Sequence, residues 1–283
     1  MGPLKDIKII EMAGIGPAPF CGMVLADMGA EVISVERITA AGRGSNSDIA
    51  SRGKKSIAVD IRKQEGQEII KKLVKSADVL IEGFRPGVME KNNLSPDVLL
   101  SINPKLIYGR MTGWGQNGPL ANAAGHDINY IALSGVLGAI GKKDSPPPPP
   151  LNLIGDFGGG GMLLALGVCA ALNTVNKEGK GQVIDAAMTE GSALLMSMMY
   201  GMLNSGIWTD SRDSNLLDGA AHFYGCYECK DGNFVSIGSI EPQFYSLLRE
   251  KMNIDEDIFD NQMDKNSWSE LRKNLENRFK EKT

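Results

Sequence analysis

The sequence predicts an α/β protein, with a mostly parallel sheet in a large domain and a smaller α+β domain behind it. Three observations carry this. Apolar strand-like runs alternate with helix-like stretches from residue 7 onward, the pattern of stacked β-α-β units. The first such unit is short and uninterrupted, which favours parallel pairing and a right-handed crossover. From Ala220 the texture changes to a hairpin followed by amphipathic helices. The boundaries fall at residues 1–188 for the large Rossmann-like domain, 189–218 for a linker helix and loop, and 219–283 for the small domain.

Each element follows from local chemistry. Residues 7–12 read as a buried strand, and Gly14-Ile15-Gly16-Pro17-Ala18-Pro19 as a turn. A helix over 20–28 ends at Gly29, and residues 31–36 form the second strand. Strands over 56–61, 78–82 and 106–111 alternate with helices over 64–76, 88–92 and 96–103. Pro146 to Pro150 make a stiff extended connector. A glycine-rich turn after Asp156 opens an apolar helix over 162–173. A strand over 182–187 leads into one long Met-rich helix over 189–204, whose methionines read as packing surface. Residues 223–230 and 234–238 form the hairpin, and helices follow over 242–252 and 267–280. The last opens with a capping box, Ser267-x-x-Glu270, and carries Trp268, Leu271, Leu275 and Phe279 on a face that needs a partner.

Composition narrows the function. A net charge of −4 over 283 residues gives no global basic field, so nucleic acid is not a partner and an anionic ligand must be met by local basic clusters. Four cysteines in a chain this long make no disulfide framework, which points to a reducing compartment. No signal peptide, lipidation motif or peroxisomal tripeptide is read at either end. Two uncharged stretches of about eighteen residues, 158–175 and 191–208, are interrupted by glycine, serine and asparagine and read as buried helices, with no membrane span.

Several motifs invite chemistry. Gly14-x-Gly16 sits after a strand with Glu36 further on, but Pro17, Pro19 and the missing third glycine spoil the dinucleotide fingerprint. Arg37, the cluster Arg52-Gly53-Lys54-Lys55, and Arg62-Lys63 supply local positive charge, suited to phosphate groups or to a solvated surface. Arg85-Pro86-Gly87 lies just past a strand end, where α/β folds bind ligands. Cys226-x-x-Cys229 is a lone pair on a strand, its side chains on opposite faces, so no metal site is expected. His222 reads as packing or surface. The chain has two histidines, and the other, His126, is flanked by Gly125 and Asp127 at a helix start, followed by a glycine-hedged Asp156. A histidine and a carboxylate so placed suit moving a proton off one face of a carbon and onto the other. The backbone N–H groups at that helix start suit a developing oxyanion.

These segments resemble a known family. Gly125-His126-Asp127-Ile128-Asn129-Tyr130, Asn152-Leu153-Ile154-Gly155-Asp156-Phe157, Gly179-Lys180-Gly181-Gln182-Val183-Ile184-Asp185-Ala186 and Ile240-Glu241-Pro242-Gln243-Phe244-Tyr245 are similar to the α-methylacyl-CoA racemases of the family III CoA-transferase superfamily. So are Arg52-Gly53-Lys54-Lys55-Ser56 and Phe84-Arg85-Pro86-Gly87-Val88-Met89-Glu90. The resemblance implies 1,1-proton transfer at the carbon next to a CoA thioester. His126 works on one face, Asp156 on the other, and Glu241 hydrogen-bonds His126. An imidazole titrates near neutrality, which suits reversible proton transfer. An apolar, glycine-walled pocket raises a carboxyl so that Asp156 holds a proton part of the time.

The resemblance further implies acyl-CoA contacts at Arg37, at Val59, Asp60, Ile61 and Arg62, at Arg85, and at Gly125, Asp127 and Tyr130. Substrates are 2-methyl-branched acyl-CoAs, such as those from branched fatty acids or bile-acid precursors. CoA enters as part of the substrate, with no separate cofactor and no metal. A homodimer, and a peroxisomal or mitochondrial setting, follow from the same likeness. The family's chains run longer and return from the small domain to the large one, so this chain is expected to be truncated, with dimerisation and activity at stake. Two other readings stand: an acyl-CoA transferase with Asp127 as carboxylate nucleophile, and a non-catalytic binder of CoA thioesters.

Overall fold

The computed structural model describes residues 2–40 and 47–283. The chain forms two compact units, Met1–Val136 with Pro149–Met196, and Leu137–Pro148 with Ser197–Thr283.

The first unit opens with β1 (Lys8–Met12), α1 (Pro17–Asp27), β2 (Glu31–Glu36), β3 (Lys54–Ala58) and α2 (Gln64–Val74). It continues through β4 (Val79–Glu82), α3 (Val88–Lys91), α4 (Pro96–Ile102), β5 (Ile107–Thr112) and α5 (Asp127–Leu133). A wide π-helix (Leu153–Met162) runs directly into α6 (Leu163–Glu178), then β6 (Gln182–Ala187) and α7 (Met188–Leu195). All six strands pair in parallel, in the order β3-β2-β1-β4-β5-β6. That is the doubly wound Rossmann order, with its switch point between β1 and β4. Parallel sheets are covered on both faces. On one face α1 and α6 bury Ala18, Leu25, Leu164 and Val168 against Ile9, Val79 and Ile107. On the other α2, α3 and α4 bury Ile70, Val74, Met89 and Leu99 against Ile10, Leu80 and Tyr108.

Where the elements differ from the expectation, the cause is local. Helix α1 begins at Pro17, because proline fits the first turn, where backbone N–H groups have no helical acceptor anyway. Strand β3 runs over Lys54–Ala58 and stops where its partner β2 stops, with Glu36 opposite Ala58. Residues 59–61, expected as strand, turn away instead. The largest difference lies at the four glycines after Asp156. They form no turn but lie inside the π-helix, whose wider pitch shows in the Phe157 N–H donating to the Asn152 carbonyl, 3.3 Å. A Cβ on Gly159 would stand 2.6 Å from the Ser192 nitrogen, and one on Gly161 2.7 Å from the Pro17 carbonyl oxygen. Glycine is there so that α1 and α7 can close on this helix.

Leu153–Glu178, taken as one helix, is long and apolar enough to cross a membrane by length and composition. Here one face of α6 packs on the sheet, while Met162 and Leu166 stay exposed. The expected helix over 189–204 breaks at Met196 into α7 and α8 (Ser197–Asn204).

A charged group is built into the first unit's core. Lys54 Nζ donates to Glu11 Oε2 (2.6 Å) and to the Pro19 carbonyl (2.8 Å), with both charged side chains nearly inaccessible. Burial pushes the Glu11 carboxyl up to about 7, although Lys54 opposes this. Gly22 of α1 lies on the pair, where a Cβ would overlap Glu11 Oε2.

The second unit holds the antiparallel hairpin β7 (Tyr224–Glu228) and β8 (Phe234–Gly238), then α9 (Pro242–Met252) and α10 (Trp268–Phe279). The apolar face of α10 has its partner inside this unit: Trp268, Leu271, Leu275 and Phe279 are buried with Phe223, Tyr227 and Phe259. The expectation of an uncovered face is thus corrected. The capping box does not form either. Ser267 takes a helical backbone and its hydroxyl donates to the Asp264 carbonyl instead (2.8 Å). His222 is buried in the same core, its Nε2 paired with the Tyr245 hydroxyl at 2.7 Å.

Candidate active site

At the C-terminal ends of β1, β2, β3 and β4 the loops part around an open cleft of about 620 Å³. It lies beside the switch point, where doubly wound sheets bind ligands, and its size falls in the range of small-molecule sites. Arg37 follows β2, Val59, Asp60, Ile61 and Arg62 follow β3, and Arg85 follows β4; the cleft brings all six together. The early end of β3 frees Val59 to Ile61 to line it. Arg62 is held by Asp60 in a fork, Nε to Oδ1 at 2.8 Å and Nη2 to Oδ2 at 3.0 Å. That pairing holds the Asp60 carboxyl below the usual range and fixes the Arg62 guanidinium, while Arg37 and Arg85 add positive charge for an anionic ligand.

A second cleft of about 250 Å³ takes in Gly125, His126, Tyr130, Trp114 and Met188. Phe84 and Arg85 line both clefts. The β4–α3 corner is therefore the partition between a nucleotide-sized space and the histidine.

His126 is the residue before α5, with an extended backbone, and its N–H donates to Asn129 Oδ1 at 3.0 Å. Its side chain is exposed along the smaller cleft. Tyr130, one turn on, donates its hydroxyl to the Gly125 carbonyl and meets Trp114 edge-on, with centroids 4.7 Å apart. A Cβ on Gly125 would stand 2.7 Å from the Tyr130 ring and 2.9 Å from Trp114. The glycine before His126 is thus demanded by packing.

Asp127 opens α5 and is buried, at 6% exposure. Its Oδ1 accepts from the Asp156 backbone N–H at 2.7 Å, and its Oδ2 is buried with no partner among the described residues. This bond ties the start of α5 to the π-helix and brings His126 and Asp156 into one neighbourhood. Asp156 sits in the first turn of the π-helix, where Asn152 Nδ2 donates to its Oδ2 at 3.3 Å. Its carboxyl is held above the usual range, mainly by burial; Asn152 opposes, the Asp127 charge adds, and His126 opposes. Gly16 faces that carboxylate with φ +77, and a Cβ there would lie 3.3 Å from Oδ2. The glycine that suggested a dinucleotide turn therefore makes room for Asp156.

Glu241 belongs to the second unit, where it is exposed and precedes α9. Its carbonyl accepts from the N–H groups of Phe244 and Tyr245, both at 3.0 Å. Sequence reasoning missed Asn152, whose signal was its i−4 spacing from Asp156, and Phe84 as part of the partition.

Fold and site together define a doubly wound α/β protein with a ligand cleft at the switch point. The chain belongs to CoA-transferase family III, whose profile matches residues 4–283. It is similar to the α-methylacyl-CoA racemase of Mus musculus, 46% identical over 280 residues, covering 99% of this chain and 72% of that protein. The Homo sapiens racemase is likewise 46% identical over 282 residues, again covering 99% and 72%. Among solved structures, a CAIB/BAIF family protein from Brucella suis superposes with a TM-score of 0.83 at 29% identity, covering 100% of this chain and 79% of that one.

Proposed function

We propose that this chain is a 2-methylacyl-CoA racemase, inverting the α-carbon by 1,1-proton transfer through an enolate. One observation carries the reading: the Asp127–Asp156 hydrogen bond, which brings a histidine and a carboxyl raised by burial into one neighbourhood. The nucleotide end of the acyl-CoA occupies the larger cleft near Arg37 and Arg62, and the arm passes Phe84 and Arg85 to present the thioester to His126.

His126 takes the α-proton from one face. The C–H electron pair moves into the thioester, and its oxygen carries the enolate charge toward the backbone N–H groups at the start of α5. Asp156, protonated, returns a proton to the opposite face. The reverse reaction swaps the roles. A carboxyl raised by burial is suited to that duty, since it keeps its proton nearer to neutral pH than a solvated aspartate does. No electrons are exchanged, so the chemistry itself asks for no redox cofactor.

The transferase reading needs Asp127 as a free nucleophile. Its burial and its bond to the Asp156 N–H favour a positioning role instead. Deuterium incorporation at the α-carbon of a 2-methylacyl-CoA in D₂O is the test. Exchange by the chain that is lost in His126→Ala and in Asp156→Ala supports the racemase. A folded, CoA-binding chain that exchanges no α-proton refutes it, and acyl transfer to a free acid would point to the transferase.

A further inference from the structure

The partition between the two clefts is anchored by groups that take no part in the chemistry above. Glu82 ends β4 at 1% exposure, and its register partner on β5 is Arg110, at 7%. Arg110 Nε donates to Glu82 Oε1 at 2.9 Å, and its Nη1 meets Glu90 Oε1, on α3, also at 2.9 Å. The other oxygen of Glu82 accepts the Phe84 backbone N–H at 2.7 Å. One guanidinium thus holds both ends of the corner formed by residues 83–89, and the carboxylate at the near end holds the Phe84 backbone directly. Between these ties lie Phe84 and Arg85, the two residues that line both clefts. Gly87, at φ +85, lets the corner turn back into α3 within this span.

An inaccessible ion pair is costly to bury, so its presence is weak evidence for a role in stability. This one ties a loop whose residues Phe84 and Arg85 line both clefts. Resting on the acyl-CoA reading above, we infer that Glu82, Arg110 and Glu90 are positioning residues: a clasp that fixes the Phe84–Arg85 corner so that the arm of an acyl-CoA can pass from the larger cleft to the smaller.

The prediction separates two ends of one ligand. Adenosine 3′,5′-bisphosphate is the nucleotide end of CoA without its arm, and it uses only the larger cleft. Glu90→Gln cuts the far tie at a side chain that is 40% exposed, so the fold is retained. Titration calorimetry of the full chain should show CoA bound about tenfold more weakly in Glu90→Gln, as expected for a modest misplacement of a contact surface. Binding of adenosine 3′,5′-bisphosphate should change by less than about twofold, because Arg37 and Arg62, which hold it, sit on the β2 and β3 loops that the clasp does not tie. Arg110→Lys, which lacks the planar fork that meets Glu82 and Glu90 from adjacent nitrogens, should show the same split more strongly. Should it fail to fold, Glu90→Gln still decides. Equal weakening of both ligands, or no change in either, overturns the clasp while the acyl-CoA reading survives. A wild-type chain that binds neither ligand overturns that reading, and the clasp falls with it.

Discussion

Asp127 offers the sharpest test, because one hydrogen bond separates two mechanisms. Its Oδ1 accepts the Asp156 N–H at 2.7 Å, while its Oδ2 is buried without a partner among the described residues. Asp127→Ala removes the acceptor and leaves a backbone N–H unpaired, which costs about 2 kcal/mol. In a chain of this size that lowers Tm by roughly 4–8 °C. It also frees the first turn of the π-helix, and a displacement of the reacting carboxyl by about 1 Å reduces turnover on the order of 100-fold. Asp127→Asn is different. The amide oxygen keeps the bond to Asp156, and the amide nitrogen takes the place of an oxygen that already lacked a partner. Stability should stay within about 1 kcal/mol of the wild type, and α-proton exchange within about tenfold. The lost charge has one further effect. Asp127 raises the Asp156 carboxyl, so its removal lets Asp156 give up its proton at lower pH. In the direction where Asp156 donates, the alkaline limb of the kcat profile should therefore move to lower pH. Thermal melts, D₂O exchange and its pH profile measure all three. Should Asp127→Asn fold normally yet abolish exchange as completely as Asp127→Ala, the positioning argument fails, and a trapped acyl adduct on Asp127 would replace it with a nucleophile.

Three further outcomes follow from the packing. Lys54→Met strips Glu11 of its buried counter-ion and should cost about 3–5 kcal/mol, with Glu11→Gln/Lys54→Met recovering most of it; a double variant no better than the single would refute the pairing argument. Gly191→Ala places a Cβ 1.8 Å from the Gly159 carbonyl oxygen and should destabilise the first unit by about 3 kcal/mol or more, seen as a loss of the cooperative melt; a wild-type melt would show that α7 and the π-helix are not in this contact. Burial pushes the His222 imidazole down to about 4, so below its ordinary range the unfolded chain takes up a proton before the folded one does. Stability that is fully present above pH ~6.5 should then be lost as pH falls toward 4, and His222→Gln should flatten that slope; an unchanged slope would assign the acid sensitivity elsewhere.

The parallel strands and the edge that binds ligands were legible because they rest on local periodicity and on a rule of α/β topology. The apolar runs marked the strands, and the loops after them carried Arg37, Asp60, Arg62 and Arg85 to one edge. His126 was legible for a related reason, since a helix start writes its own signature. The glycines after Asp156 were not. Local sequence gives glycine two meanings, a turn or a close approach, and only α1 and α7, which meet there in space, select the second. Ser267 shows the same limit: its hydroxyl had a nearer acceptor in Asp264 than the pattern revealed. The Asp127–Asp156 bond and the Arg110 clasp were invisible for a stronger reason. The Asp156–Asp127 bond and the Arg110–Glu82 tie join residues 29 and 28 positions apart, and nothing local specifies either pairing.

The helix Leu153–Glu178 has a bearing on how this protein is made. A nascent segment of that length and hydropathy offers the translation machinery a stretch that lipid would accept. Its order in the chain counters the hazard. The groups that receive α6, among them Ile9, Ala18, Leu25, Val79, Ile81 and Ile107, have all been synthesised before Leu163 leaves the ribosome. The acceptor surface therefore precedes the apolar segment, and β6 and α7 arrive afterwards to close over it. A circular permutant that began at residue 149 would reverse that schedule, and its yield of soluble chain would report what the natural order protects.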